Sequence, residues 1–240
     1  MPHPRPELHN PENALDSGHP SQDLLRLFTD PKARQPSAAA RLVKPVQHRG
    51  AGASCVYLDQ RGHWDGGSGN VYVKRQRNYT CRPLWRAFLP TPTLAREHRA
   101  LQAMQRIGVT APEVVSYRQE GLAAELVIAE IAGGLPLDKA LALPDCDRKG
   151  ILAGVARLIR RLHDAGWAHG ALNCEHIFVV PGDDFSAALI DFEKARRSRR
   201  LIDADLARIW RRNPALTSED RGLFEAAYRA GGNRLSPNPQ

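Results

Sequence analysis

The chain is poor in aromatics, in long apolar runs and in paired cysteines, and each shortage excludes something. Phe, Trp and Tyr make up 6% of its 240 residues, too few for the stacked-base surface of a single-stranded nucleic-acid binder. No stretch approaches the ~18 apolar residues that a membrane-spanning helix needs. The opening MPHPRPELHNPENALD has no apolar segment of the secretory-signal kind. The four cysteines (Cys55, Cys81, Cys146 and Cys174) are far apart, with no C-x-x-C pair and no histidine at finger spacing. That leaves them as buried free thiols of a reducing, cytoplasmic protein. Acidic groups are also in deficit, 26 against 34 basic, for a formal charge of +8. The excess points to an anionic partner: nucleic acid, a phosphorylated ligand or an acidic membrane surface. What remains is ordinary globular material, 42% hydrophobic and 25% charged.

Residues 1–40 are rich in Pro, His, Ser and Asn and read as a flexible tail, with Leu24, Leu25, Leu27 and Phe28 as a short docking stub. From residue 41 the pattern alternates. Strands are expected over 41–46, 54–58 and 70–74, then a basic connector over 75–93 and a helix carrying Leu94, Leu101, Met104 and Ile107, ended by Gly108. A strand pair follows over 114–117 and 126–130. Beyond Gly133-Gly134 helices dominate: a short one over 136–143 and the strongest over 147–165. Two short strands, 177–180 and 187–190, and helices over 203–210 and 219–230 complete the chain. This order implies an α+β protein of two lobes, a small β-rich one over 41–133 and a reduced helical one over 134–240, with a cleft between them.

Three features could carry chemistry. Gly50 and Gly52, with Ser54, lie between the first two strands, where glycines let backbone N–H groups approach a phosphate; a plain tight hairpin would look the same. Lys74 ends an apolar strand and needs a paired charge if it is buried; Glu97 on the following helix could supply it, or both could be surface groups. Third, His169-Gly170-Ala171-Leu172-Asn173-Cys174-Glu175-His176-Ile177-Phe178-Val179 precedes Ala188-Leu189-Ile190-Asp191-Phe192-Glu193. Asp191 closes a hydrophobic strand where it would meet the cleft, the place for a magnesium-binding carboxylate.

Glycine turn, strand lysine, helix glutamate, long helix, histidine loop and Asp-Phe follow the order of the protein-kinase fold. More narrowly, Tyr72-Val73-Lys74-Arg75-Gln76-Arg77-Asn78-Tyr79, Pro92-Thr93-Leu94-Ala95-Arg96-Glu97, His176-Ile177-Phe178-Val179 and Leu189-Ile190-Asp191-Phe192-Glu193-Lys194-Ala195-Arg196-Arg197 carry a closer likeness. Through them residues 41–230 resemble the lipopolysaccharide core heptose and Kdo kinase family, in its InaA-like branch. The resemblance implies ATP and Mg2+ as cofactors. Lys74 would bridge the α/β-phosphates with Glu97 as its partner, and Asp191 would hold the metal. Gly50, Gly52 and Ser54 would cover the phosphates, and Glu130 would lie where the base meets the interlobe linker. His169 would be the structural histidine of the catalytic loop, and His176 would take the place of the second metal-binding Asn.

Two departures stand out. Glu193 replaces the glycine of D-F-G, and Ala171 occupies the H-x-D position of the catalytic aspartate. His169, His176 or Glu175 could deputise only within reach of the acceptor hydroxyl. Three readings follow: an ATP-dependent kinase for a lipopolysaccharide core sugar or related hydroxyl, a pseudokinase with a stress or envelope regulatory role, and a basic nucleic-acid-binding protein. The charge falls in two stretches. Lys74, Arg75, Arg77, Arg82, Arg86 and Arg96 stand without any acid over 66–96, and residues 194–212 hold eight basic groups against two acidic. Such stretches favour an anionic glycolipid or lipopolysaccharide core precursor, with peripheral contact at the inner face of the inner membrane, over nucleic acid.

Overall fold

Strand β3 (Gly67–Arg77) organises the smaller lobe through strict alternation. Val71 and Val73 point to one face and pack with Cys55, Tyr57 and Val127 in a small apolar cluster. Tyr72, Lys74 and Gln76 point to the other face. The computed structural model describes residues 40–64, 67–82, 89–180, 186–211, 213 and 216–231; the expected tail over 1–40, apart from its last residue, lies outside these. Together with β1 (Arg41–Arg49), β2 (Gly52–Trp64), β4 (Val114–Glu120) and β5 (Ala123–Ala129), β3 forms an antiparallel sheet of order β1-β2-β3-β5-β4. The strand runs past Lys74 into what the sequence suggests is connector. Its charged residues are satisfied there, since Arg75, 2% exposed, donates from Nε to Glu125 Oε2 at 2.6 Å on β5, its register partner.

Helix α1 (Thr93–Arg106) lies on the cleft side of that sheet and buries Leu94, Leu101 and Met104. Its first residue follows Pro92, so no residue of its own caps it. Gln76 does so instead: its side-chain oxygen accepts from Leu94 N–H at 3.2 Å and from the Thr93 hydroxyl at 2.8 Å. The cap ties the start of α1 to β3 two residues beyond Lys74, which fixes the helix against the strand.

The larger lobe is built on α3 (Arg148–Asp164), preceded by the short α2 (Leu137–Leu141). Asp147 caps α3 by accepting from Gly150 N–H at 2.9 Å, and Ile151, Leu152, Val155, Ile159 and Leu162 form its buried face. Helix α5 (Ser218–Ala230) opens with a Thr217/Asp220 capping box. It docks on α3 through Arg148 to Asp220 at 2.6 Å and a His163–Tyr228 hydrogen bond at 2.8 Å. Helix α4 (Ile202–Arg211) and the hairpin of β6 (Ile177–Val180) and β7 (Ser186–Leu189) complete the lobe. One continuous apolar cluster runs from Leu94, Met104 and Leu126 through Leu152 and Ile159 to Leu172, Phe192 and Phe224. The two lobes therefore share a core behind the cleft. Among the described residues no helix is long and apolar enough to cross a membrane. Cys55 and Cys174 are buried free thiols, and Cys81 and Cys146 are partly exposed free thiols.

Candidate active site

The register set by Gln76 brings Lys74 Nζ to within 2.6 Å of Glu97 Oε1. Glu97 is 1% exposed, so this is a buried charge pair and not two surface groups. Burial works against the Lys74 ammonium, but Glu97 and Asp191 together hold it above its ordinary value. Burial raises the Glu97 carboxyl, and Asp191 raises it further against the pull of Lys74. Negative charge is in surplus here, a field that suits a cation.

The opposite wall comes from the histidine loop and the segment after β7. His169 is fully buried. Its Nε2–H donates to the Ile190 carbonyl at 2.8 Å, and burial lowers its pKa to about 4, so the ring is neutral. It positions the residue before Asp191. Phe192, also fully buried, packs on the His169 ring at 4.9 Å between centroids. Asp191 has φ +62°, a left-handed backbone that costs a non-glycine residue about 1–3 kcal/mol and is tolerated where its surroundings over-determine it. Glu193 sits in the 3-10 turn Phe192–Lys194 and is not among the residues with positive φ. The turn thus has no need of the glycine of D-F-G.

His176 Nδ1–H donates to the Ala171 carbonyl at 2.8 Å. That bond fixes the tautomer and turns Nε2 toward Asp191 Oδ2, 3.3 Å away. A ring lone pair and a carboxylate oxygen at this distance repel unless a proton or a cation lies between them. Burial would raise the Asp191 carboxyl, yet Lys74, His176 and Lys44 hold it below its ordinary value, so it stays ionised. No group of three or more His, Cys, Asp or Glu that could hold a metal occurs among the described residues. Asp191 and His176 form a two-donor set, which fits a divalent ion that takes its other ligands from nucleotide phosphates and water.

These groups line one cavity of about 570 Å³, together with Ser54, Gln76, Arg96, Ala171 and Glu193. An adjoining space of about 460 Å³ is more apolar, walled by Val56, Tyr72, Ile128, Ile131, Phe178 and Ile190, a size and lining suited to a purine. Glu130 borders it; its N–H donates to Asn70 O at 3.0 Å and its Oε2 accepts from Asn70 Nδ2 at 2.7 Å. Gly50 and Gly52 line neither space. Gly50 opens the two-residue turn Gly50-Ala51, with φ +58°, and Gly52 is the first residue of β2, paired with Arg49. A Cβ on Gly52 would sit 2.6 Å from the Asn78 carbonyl oxygen, so this glycine makes room for the protein's own backbone. Glu175 borders the apolar space, away from the Ala171 side.

One residue that anchors the site escaped the sequence reading. Asp205 on α4 is fully buried and accepts from the backbone N–H of His169 at 2.5 Å and of Gly170 at 2.9 Å. Burial pushes its carboxyl up, but His163 and those N–H groups outweigh it and hold the group below its usual range. Asp205 therefore fixes the histidine loop to the helical lobe. In sequence it looks like an acid within a basic helix; only its distance from residue 169 in the chain conceals the role.

The family described as lipopolysaccharide kinase (Kdo/WaaP) matches residues 36–228. Protein InaA of Escherichia coli (strain K12) is 29% identical over 140 residues, a match spanning 54% of this chain and 64% of that protein, under two thirds of its length. The fold matches the crystal structure of an aminoglycoside-3'-phosphotransferase of type VIII with a TM-score of 0.58 at 17% identity, over 84% of this chain and 90% of the other. That likeness establishes a kinase-like α+β architecture.

Proposed function

The chain belongs to the lipopolysaccharide kinase (Kdo/WaaP) family, and from that premise we propose that it binds ATP with Mg2+ in the cleft and transfers a phosphoryl group to a sugar hydroxyl of lipopolysaccharide core type. The observation that carries this reading is the buried Lys74–Glu97 pair facing Asp191 and His176 across one cavity. Lys74, held by Glu97, would meet the nucleotide phosphates. Asp191 and His176 Nε2 would hold the metal, which when bound offsets charge on the phosphates. Ser54 would border the phosphates from β2, and the base would occupy the apolar space beside Glu130. In the reaction the acceptor oxygen bonds to the γ-phosphorus as the bond to the ADP oxygen breaks, and the hydroxyl proton leaves to solvent or to the transferred group.

Ala171 sets the rate. Phosphoryl transfer is mostly positioning and charge stabilisation, while a general base contributes about 10²–10⁴ in rate. His176 cannot serve easily, since its Nδ1–H is committed to the Ala171 carbonyl and its Nε2 faces Asp191. We therefore propose a slow kinase at the cytoplasmic face of the inner membrane, with the exposed basic residues after Asp191 as its membrane contact. The absence of a carboxylate at 171 favours a second reading: a nucleotide-binding pseudokinase with a stress or envelope regulatory role. Phosphate transfer from γ-labelled ATP to purified lipopolysaccharide core separates them. Label incorporation that Asp191→Ala and Lys74→Ala both abolish supports the kinase; nucleotide binding without incorporation supports the pseudokinase.

A further inference from the structure

Beyond Ala171 the cleft opens into a second cavity of about 420 Å³. Its charged lining is all of one sign: Arg96 from α1, Lys194 and Arg196 from the segment after Asp191, and Arg208 from α4. No Asp or Glu lines it. Gly170, Ala171, Leu172, Asn173 and His176 complete the lining. Arg96 Nε is buried with no hydrogen-bond partner, an arrangement that costs free energy unless a ligand completes it. The Arg208 guanidinium is steadied by Asp205, 3.2 Å from its Nη1. The wall is tightly built, because a Cβ on Gly170 would lie 2.6 Å from the Lys194 carbonyl oxygen. The histidine loop and the basic segment thus meet without a gap.

We propose that this cavity is a subsite for a phosphate monoester already carried by the acceptor sugar. The inference rests on the phosphotransferase reading of the cleft and narrows its substrate to a phosphorylated sugar. Guanidinium groups grip phosphate oxygens in bidentate fashion, and four cations around one pocket repel each other until an anion enters. Position 171 lines both this pocket and the cavity of Lys74 and Asp191. A carboxylate there would oppose the acceptor's charge, so alanine removes a base and admits an anion in one change.

Calorimetry at low salt with mannose 6-phosphate, mannose and inorganic phosphate tests this. Mannose 6-phosphate is expected to bind at least about tenfold more tightly than mannose or inorganic phosphate, as charge-assisted contacts require. Arg96→Gln and Arg196→Gln should each weaken it about fivefold to twentyfold. Arg196→Lys should recover part of the loss. Arg196 is exposed and only its backbone pairs with Ala168, so the fold should survive the changes at 196. Equal binding of mannose and mannose 6-phosphate, inorganic phosphate binding as tightly as the sugar phosphate, or affinity unchanged in both glutamine variants would each overturn the proposal. The nucleotide reading is checked separately. If ATP fails to bind while mannose 6-phosphate still depends on Arg196, that reading falls and the anion subsite stands.

Discussion

The two ends of the cleft differ in how their charges are answered. At the Lys74 end charges of both signs line the cavity: Lys74 meets Glu97 at 2.6 Å, and Asp191 lies 3.3 Å from His176. At the far end four cations surround a cavity with no carboxylate, and Arg96, Ala171, His176 and Lys194 line both ends. A site of mixed charge built around a closed pair is organised before its ligand arrives; a site whose lining charges are all positive, with Arg208 steadied by Asp205, waits for an anion to complete it. The cleft of this kinase-like fold thus joins an end of mixed charge to an end of positive charge alone.

The largest expected effect comes from making the acceptor end resemble the other. Ala171→Asp should raise phosphate transfer to lipopolysaccharide core by about 10²–10⁴ if only the base is missing, and should weaken mannose 6-phosphate binding. Unchanged transfer would mean that the missing carboxylate does not limit the rate. The opposite manipulation breaks the paired end. Lys74→Ala leaves Glu97 buried without its partner and should cost about 3–5 kcal/mol in denaturant unfolding, along with nucleotide binding. Adding Glu97→Gln should return most of the stability but not the binding.

A third test reaches the layer beneath both ends. His169 is buried with a pKa of about 4 against 6.5 when free. Its lower folded value means that the unfolded chain binds the extra proton first as pH falls. The stability is therefore present above pH 6.5 and lost progressively toward pH 4, by about 3 kcal/mol in all. Thermal melts across that range should show the loss, and His169→Asn should flatten it. The smallest effect is expected from Asp205→Asn, which weakens the anchor of His169 and Gly170 by about 2–3 kcal/mol. Hydrogen exchange at 169–171 should rise, and mannose 6-phosphate binding should suffer more than ATP binding.

Much of the fold was legible because its signals are local. The apolar alternation around Val71 and Val73, the helical spacing of Leu94, Leu101 and Met104, and the broad face of α3 are read within a few residues. Lys74 sits at a definite phase of β3, Glu97 at one of α1, and Asp191 just beyond the end of β7, but their expected roles came from the order of the motifs and the family resemblance. The pairings that finish the site are long-range. Gln76 lies in an apparent connector, yet it caps α1; Arg75 extends β3 because Glu125 awaits it on β5. Asp205 holds a loop that is 35 residues away in sequence from Gly170. Gly52 shows the reverse case, a residue whose type was legible but whose occupant, the Asn78 backbone, was not.

The sharpest test of Asp191 as a metal-holding carboxylate is titration of the chain with ATP, with and without Mg2+, beside Asp191→Ala. The expectation is that the chain binds ATP more tightly when Mg2+ is present, and that Asp191→Ala loses this metal dependence while keeping its melting temperature within a few degrees. ATP affinity that is indifferent to Mg2+, or identical metal dependence in Asp191→Ala, would contradict it.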